Sequence, residues 1–497
     1  MPTADLVLAV DQGSSSTKAL LVSAGGAVVA SASVPLAARF PRPGWVEQSP
    51  VEILDSVRAA VAQVLAGLDP LRVVGVGLST QRESLALWDR RTGEPVGPLV
   101  TWQDQRGTEL CDRLTAAGYA DAVRERSGLP LDPMFSATKA AWLLDTFDPD
   151  RTRSRAGELC LGTVDAWLLH RLTGRHLTEV GNASRTQLMN IGTRQWDQDL
   201  LDLFGVPAGA LGEIAPSAGP FPSIRGLPPL AGGTPVAAVM GDSHAALFAH
   251  AGWRPGTVKA TYGTGSSVMG LCPDGISPEA AGAGLCLTVA WDDGTGARYA
   301  AEGNIRSSGS TLTWLARTHG TTPADLADLA RTTAADGVHI VPAFNGLGAP
   351  YWDREAVGII SGLTMGSGLP QLARAALESI AYQIEDVVAA FAGTVADVHT
   401  LHADGGASSN PDLMQLQADI SGRLVQQAAD TDLSPLGAAH LAGLRTGLWT
   451  QADIEAMPRD RTTFTPTSDA GQRERLLTGW RDAVARARLL PAPAVVR

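Results

Sequence analysis

The stretch VLAVDQGSSSTKALLV, residues 7–22, decides how this chain is read. Two apolar runs of strand length flank a tight turn carrying Asp11, Gly13, three successive serines and Lys18. A turn that only reverses the chain needs a glycine or an asparagine, not three hydroxyls beside a carboxylate and an ammonium. Small residues let the backbone approach a bound group closely. Successive N–H groups in a tight turn form a concavity that attracts anions. The turn therefore reads as a holder of a negatively charged group.

Working outward, strands are expected at Leu6–Val10, Ala19–Val22 and Ala27–Ala32, the last two joined through Gly25 and Gly26. SPVEILDSVRAAVAQVL then reads as a helix, with Ser49 as cap, Pro50 in the first turn and Glu52 three residues after the serine. Strand Val73–Leu78, helix Ser136–Leu144, strand Val236–Val239 and a helix from near His244 continue an α/β alternation. At 497 residues the chain exceeds one hydrophobic core. FPSIRGLPPLAGGTPV (221–236) reads as a loop, and AHAGWRPGTV (249–258) as the boundary between domains 1–250 and 251–497. Directly after it the opening theme returns in VKATYGTGSSVMGLC (258–272). Asp11-Gln12-Gly13-Ser14-Ser15 aligns on Tyr262-Gly263-Thr264-Gly265-Ser266. A third turn of this kind lies in LHADGGASSNPDLMQLQADI (401–420): strand, Gly-rich turn, then a helix capped by Asn410 with Pro411 in its first turn.

Three such turns suit a polyphosphate. A carboxylate beside phosphates usually acts through Mg²⁺, which gives Asp11 a role. Lys18, one of three lysines, either neutralises phosphate charge or stands as a solvated strand-end charge. No G-x-x-x-x-G-K-[ST] occurs, and no G-x-G-x-x-G joins a strand to a helix. The net charge of −12 argues against nucleic acid and anionic membrane surfaces as partners. The four cysteines share no metal-ligand spacing and read as buried residues of a reducing compartment. Neither a secretory signal nor an uncharged run of membrane-spanning length is visible, so a cytoplasmic location is expected.

MGDSHAALF (240–248) puts Asp242 at the end of an apolar strand, where a helix opens. A carboxylate there either caps the helix or takes the proton of an attacking hydroxyl.

With these motifs the chain resembles the FGGY carbohydrate kinases of the actin/hexokinase/Hsp70 superfamily, from about residue 6 to about 450. The family's C-terminal signature is present as GIISGLTMGSGLPQLARAALE (358–378). PRPGWVEQSP (41–50), STQRES (79–84), NASRTQLMNI (182–191) and PAFNGLGAPYWD (342–353) are similar to motifs of the glycerol kinases within it. The resemblance implies an α/β protein of two ribonuclease-H-like domains with an ATP cleft between them. By motif it implies ATP contacts at Ser14, Ser15, Ser16 and Thr264, a nucleotide wall at Gly309, Thr313, Gly406 and Asn410, and magnesium served by Asp11 and Asp242.

It also makes Asp242 the general base, with Arg82, Glu83 and Trp102 at the acceptor. An arginine fork beside a carboxylate can chelate vicinal hydroxyls, and an indole can cover a polyol's carbon backbone. An Arg-Glu doublet on a turn is otherwise a solvated surface feature, and Trp102 is otherwise core. His244 reads as packed or hydrogen-bonded. Two positions depart from the glycerol kinase pattern: Met134 stands where a tyrosine is usual, and Ser267 where an aromatic is usual. The expected reaction is ATP-dependent phosphorylation of glycerol. The alternatives are a longer polyol or a ketopentose as acceptor, or a non-enzymatic ATP switch. The closing segment RERLLTGWRDAVARARLL (473–490) reads as a helix that packs on its own domain or on a second subunit of a homodimer or homotetramer.

Overall fold

The computed structural model describes residues 4–230, 232–254, 256–273, 275–276, 282–392, 394–395, 397–430 and 432–489. The chain forms two compact units, each made of three segments. One compact unit comprises Met1–Ala251, Leu287–Ala300 and Asp432–Pro458, and the other comprises Gly252–Cys286, Ala301–Thr431 and Arg459–Arg497. Among the described residues no helix is long and apolar enough to cross a membrane. All four cysteines are buried.

In the first unit the sheet order is Val236–Gly241, Val73–Thr80, Leu6–Gln12, Ser16–Ser23, Val28–Pro35. The last three form the expected antiparallel meander, and the first three run parallel. Every strand ends further along the chain than expected. Leu6–Gln12 and Val73–Thr80 each carry two polar residues beyond the apolar run, because parallel pairing continues through Asp11 with Ser79 and Gln12 with Thr80. That extension carries Asp11 and Gln12 to the end of the sheet where the serine turn lies. Leu6–Val10 is buried throughout, as a central strand covered on both faces must be.

Helix Pro50–Val64 covers one part of this sheet, capped by Ser49, whose hydroxyl accepts from the Glu52 N–H. Glu52 does not complete a capping box: its carboxylate accepts from Arg39 at 2.6 Å. Helix Leu433–Thr446, from late in the sequence, packs on strands Leu6–Gln12, Val73–Thr80 and Val236–Gly241 and on helix Asp242–Ala249. Here glycine is required by close approach. A Cβ at Gly437 would lie 1.8 Å from the Ala245 carbonyl oxygen, and one at Gly77 would lie 2.3 Å from that of Ala438. Gly437→Ala is therefore expected to force the two helices apart at a cost of about 1–3 kcal/mol. This would be read as a lower denaturation midpoint at unchanged m-value, and an unchanged midpoint would mean that the helices relax freely.

The second unit repeats the plan. Thr257–Tyr262 pairs antiparallel with Ser266–Leu271 and parallel with Thr400–Asp404, which pairs parallel with Leu424–Ala428. Arg461–Phe464 adds an antiparallel edge strand. The two hairpins correspond with a slip of one residue from the sequence alignment. The N–H of Gly13 donates to the Ser16 carbonyl, and that of Gly263 donates to the Gly265 carbonyl. Gly13 thus matches Gly263, and Ser14 matches Thr264; the second tip is one residue shorter, which the alignment could not show. The C-terminal helix, Ala470–Leu489, packs on its own unit. Trp480 stacks on Tyr382 at 5.2 Å between ring centroids and donates to Asp386 at 2.7 Å.

Candidate active site

In the first unit, the serine turn stands on buried glutamines. Gln81 Nε2 donates to Gln12 Oε1 at 3.1 Å and to Gln48 Oε1 at 3.0 Å. Gln12 Nε2 then donates to the Gly13 carbonyl, and Gln48 Nε2 to the Ser14 carbonyl, each at 2.7 Å. Buried amides stay bonded because an unpaired one costs roughly 1–3 kcal/mol, so this cluster fixes the turn. Ser14 and Ser16 are partly buried and Ser15 is exposed. The Ser14 hydroxyl accepts from the Trp102 indole N–H at 2.9 Å, which leaves its own O–H to donate.

Asp11 accepts from the Ser79 hydroxyl at 2.7 Å. Burial pushes its carboxyl up to about 7; the Ser79 hydroxyl opposes this, the charge on Asp242 adds to it, Lys18 opposes and Asp432 adds. Acids that repel one another in this way are relieved by a cation, so the donor set suits Mg²⁺. Among the described residues no group of three or more His, Cys, Asp or Glu side chains gathers to hold a metal. One or two carboxylates completed by substrate phosphates and water is the usual arrangement for that ion. Lys18 is not a free strand-end charge: its Nζ lies 2.5 Å from Asp432 Oδ1.

Asp242 is the first residue of helix Asp242–Ala249, and Gly241 occupies the cap. Its side chain is about one-third exposed, and Arg82 Nε lies 3.2 Å from Oδ1. Arg82 and Glu83 are each 5% exposed, so the doublet is not a solvated surface feature. The two side chains also contact different partners. Arg82 turns to Asp242, with a second nitrogen 3.3 Å from His244 Nε2, while Glu83 accepts from Arg185 Nε at 2.6 Å. Glu83 sits at φ 62°, a strained backbone for a side-chain-bearing residue. The Ser136 hydroxyl holds it by donating to its carbonyl at 2.9 Å. His244 is fully buried, with Thr288 as a further partner at 3.3 Å.

The Trp102 backbone N–H donates to Ser84 Oγ at 3.0 Å, and its segment is clamped by Arg106. That guanidinium bonds Asp104 through two nitrogens, bonds Glu47, and lies over Trp45 at 3.8 Å and Trp142 at 4.2 Å. Met134 is partly exposed, its N–H donating to Asp132 Oδ1 at 3.0 Å. The first unit thus brings Asp11, Lys18, Arg82 and Asp242 into one set of charge contacts and Ser14 and Trp102 into a hydrogen-bonded pair.

The second unit carries the remaining predicted residues. The exposed Thr264 sits at a hairpin tip that is tied to the next helix. Its carbonyl accepts from the N–H groups of Ser308 and Ser310, and Gly309 donates to the Gly263 carbonyl at 2.9 Å. A Cβ at Gly309 would lie 2.7 Å from that oxygen, so glycine is required by the approach. Thr313, one turn along helix Gly309–His319, bonds the Gly309 carbonyl at 3.3 Å. Gly406 is exposed, and nothing lies within 4 Å of where its Cβ would stand. Asn410 caps helix Pro411–Ser421, accepting from Asp412 and Leu413, as expected. The Ser267 hydroxyl donates to Glu302 Oε1 at 2.8 Å.

Sequence reasoning missed the groups behind these residues: Gln48, Gln81, Ser79, Arg185, Asp432 and Lys139. The quoted STQRES and NASRTQLMNI contain Ser79, Gln81 and Arg185. For Ser79 and Gln81 the available signal was a polar residue at the end of a buried strand. Asp432, more than 400 residues from Lys18, offered none.

The N-terminal domain model of the FGGY family of carbohydrate kinases matches residues 6–249, and the C-terminal domain model matches 258–445. Glycerol kinase of Geobacter sp. (strain M21) is 41% identical over 491 residues, covering 97% of this chain and 98% of that protein. That of Symbiobacterium thermophilum is 42% identical over 496 residues, with the same shares. Among solved structures, glycerol kinase of Plasmodium falciparum with ADP matches at TM-score 0.89 and 28% identity, covering 98% of this chain and 99% of that one. Ligand-bound xylulose kinase of Lactobacillus acidophilus matches at 0.85 and 23%, over 97% and 98% of the two chains, a likeness of fold.

Proposed function

The chain belongs to the FGGY family of carbohydrate kinases, and from that premise we infer that it phosphorylates a primary hydroxyl of glycerol with Mg·ATP. The observation that carries the reading is Asp242, a partly exposed carboxylate at a helix start, held by a buried Arg82. Similarity to glycerol kinases across nearly the whole chain supports glycerol as the acceptor.

Asp242 takes the hydroxyl proton as oxygen attacks phosphorus. Arg82 orients the carboxylate and donates to the acceptor, Glu83 accepts from its second hydroxyl, and Trp102 covers its carbon chain. Met134 and Ser267 border the acceptor. Ser14, Ser15, Ser16, Lys18 and Thr264 contact the ATP phosphates, and Gly309, Thr313, Gly406 and Asn410 line the nucleotide. Asp11 and Asp242 would hold Mg²⁺, which when bound would supply charge neutralisation to the transferred group. Phosphoryl transfer depends on positioning and charge stabilisation, and fixed backbone donors with an oriented base supply both. The buried cysteines and acidic net charge fit a cytoplasmic enzyme acting on a small molecule.

The test is ADP release from Mg·ATP with glycerol, erythritol, xylitol, D-xylulose and D-ribulose at matched concentrations. Glycerol is expected to give the highest kcat/KM, and chelation of Mg²⁺ is expected to abolish turnover. Preference for a longer acceptor would overturn the choice of glycerol, and no stimulation by any of them would overturn the kinase reading.

A further inference from the structure

Lys139 is one of three lysines in the chain, and it is completely buried. Its ammonium donates to three successive main-chain carbonyls: Pro133 at 2.7 Å, Met134 at 2.6 Å and Phe135 at 3.0 Å. An ammonium has three donors and no acceptor, so this arrangement uses it fully. Burying a charge is expensive, and a well-packed apolar side chain of the same volume would usually hold a core as well or better. Burial also drives the Lys139 pKa down to about 8, with Asp104, Glu83 and Asp132 opposing. What an apolar residue cannot do is gather three consecutive carbonyls to one point.

Those carbonyls belong to the turn that opens helix Ser136–Phe147 and bears Met134. From the same turn Ser136 donates to the Glu83 carbonyl at 2.9 Å. The Arg185 guanidinium lies over the Phe135 ring at 5.1 Å and bonds the Glu83 carboxylate at 2.6 Å. The turn, Arg185 and Glu83 thus form a closed ring of contacts with Lys139 fastening the turn.

We propose that Lys139 is a positioning residue that sets acceptor affinity and size selection by locking the Pro133–Phe135 turn against Glu83. The inference rests on the proposed placing of Glu83 and Met134 at the acceptor. Lys139→Met keeps the length and apolar stem and removes all three donors. Glycerol KM is expected to rise at least tenfold, with kcat and the KM for ATP within threefold of wild type. The ratio of kcat/KM for glycerol to that for erythritol should fall, since a loosened turn discriminates size less. Unchanged glycerol KM, or a parallel loss in kcat and ATP affinity, overturns the proposal. If Lys139→Met does not accumulate as folded protein, Lys139→Gln, which keeps two N–H donors, is expected to raise glycerol KM about three- to tenfold, and wild-type KM in it overturns the proposal. Glu83→Gln separates the two ideas. If it leaves glycerol KM unchanged, the placing of Glu83 at the acceptor is wrong. If it raises KM while the Lys139 variants do not, only the inference about Lys139 falls.

Discussion

Asp242→Asn is expected to lower kcat by about 10³-fold, the middle of the range for a positioned general base. Affinity for ADP without Mg²⁺ should stay within about twofold. The amide keeps the shape and the backbone of helix Asp242–Ala249, so the strand end and the helix start should not move. What it loses is the lone-pair basicity that accepts the acceptor's proton and the negative charge facing Arg82 at 3.2 Å. It also removes a charge that raises the Asp11 carboxyl, so Asp11 should titrate lower in the variant. Steady-state kinetics and ADP titration check the first effects. A kcat within fivefold of wild type would remove Asp242 from the role of base. A loss of kcat with an equal loss of ADP affinity would make it a residue of the nucleotide site instead.

Arg185→Met is expected to be the most destabilising single change near the proposed acceptor site. Arg185 is fully buried, and its partner Glu83 is almost so. Removing one member of a buried pair leaves the other charge uncompensated, at a cost of about 3–5 kcal/mol. Glu83 would then either take up a proton or draw in water, and in both cases it would lose the orientation that Arg185 imposes. Glycerol KM should rise at least tenfold while ATP KM stays near wild type. Denaturant unfolding checks stability, and the double variant with Glu83→Gln checks the cause. Since that variant no longer buries a lone carboxylate, it should recover part of the lost stability. A double variant no more stable than Arg185→Met alone would place the loss in Arg185's packing on Phe135.

Much of this was legible in the sequence. VLAVDQGSSSTKALLV and VKATYGTGSSVMGLC each contain an apolar strand, a small polar tip and a returning strand, and each folds as that hairpin. Both depend on neighbours along the chain, through alternation, turn chemistry and caps, so local composition is enough to specify them. Ser49 and Asn410 cap helices for the same reason. Of the residues proposed for the acceptor, Arg82, Glu83 and Trp102 lie just after strands and Asp242 opens a helix, places where a motif shows in the sequence.

Tertiary structure alone decided the rest. Helix Leu433–Thr446 covers a sheet that begins at Leu6, and Lys18 pairs with Asp432. The adjacent Arg82 and Glu83 turn to different partners, Asp242 and Arg185. Whether a charged doublet is solvent-exposed or buried depends on what covers it, and its cover comes from residues more than 100 positions away. Burial is also what raises the Asp11 carboxyl and obliges the glutamines, Arg185 and Lys139 to find partners. Local sequence specifies the backbone path and the chemistry offered at each turn. Only the closed fold removes water, and without water a polar group must bond to whichever partner the packing puts within reach.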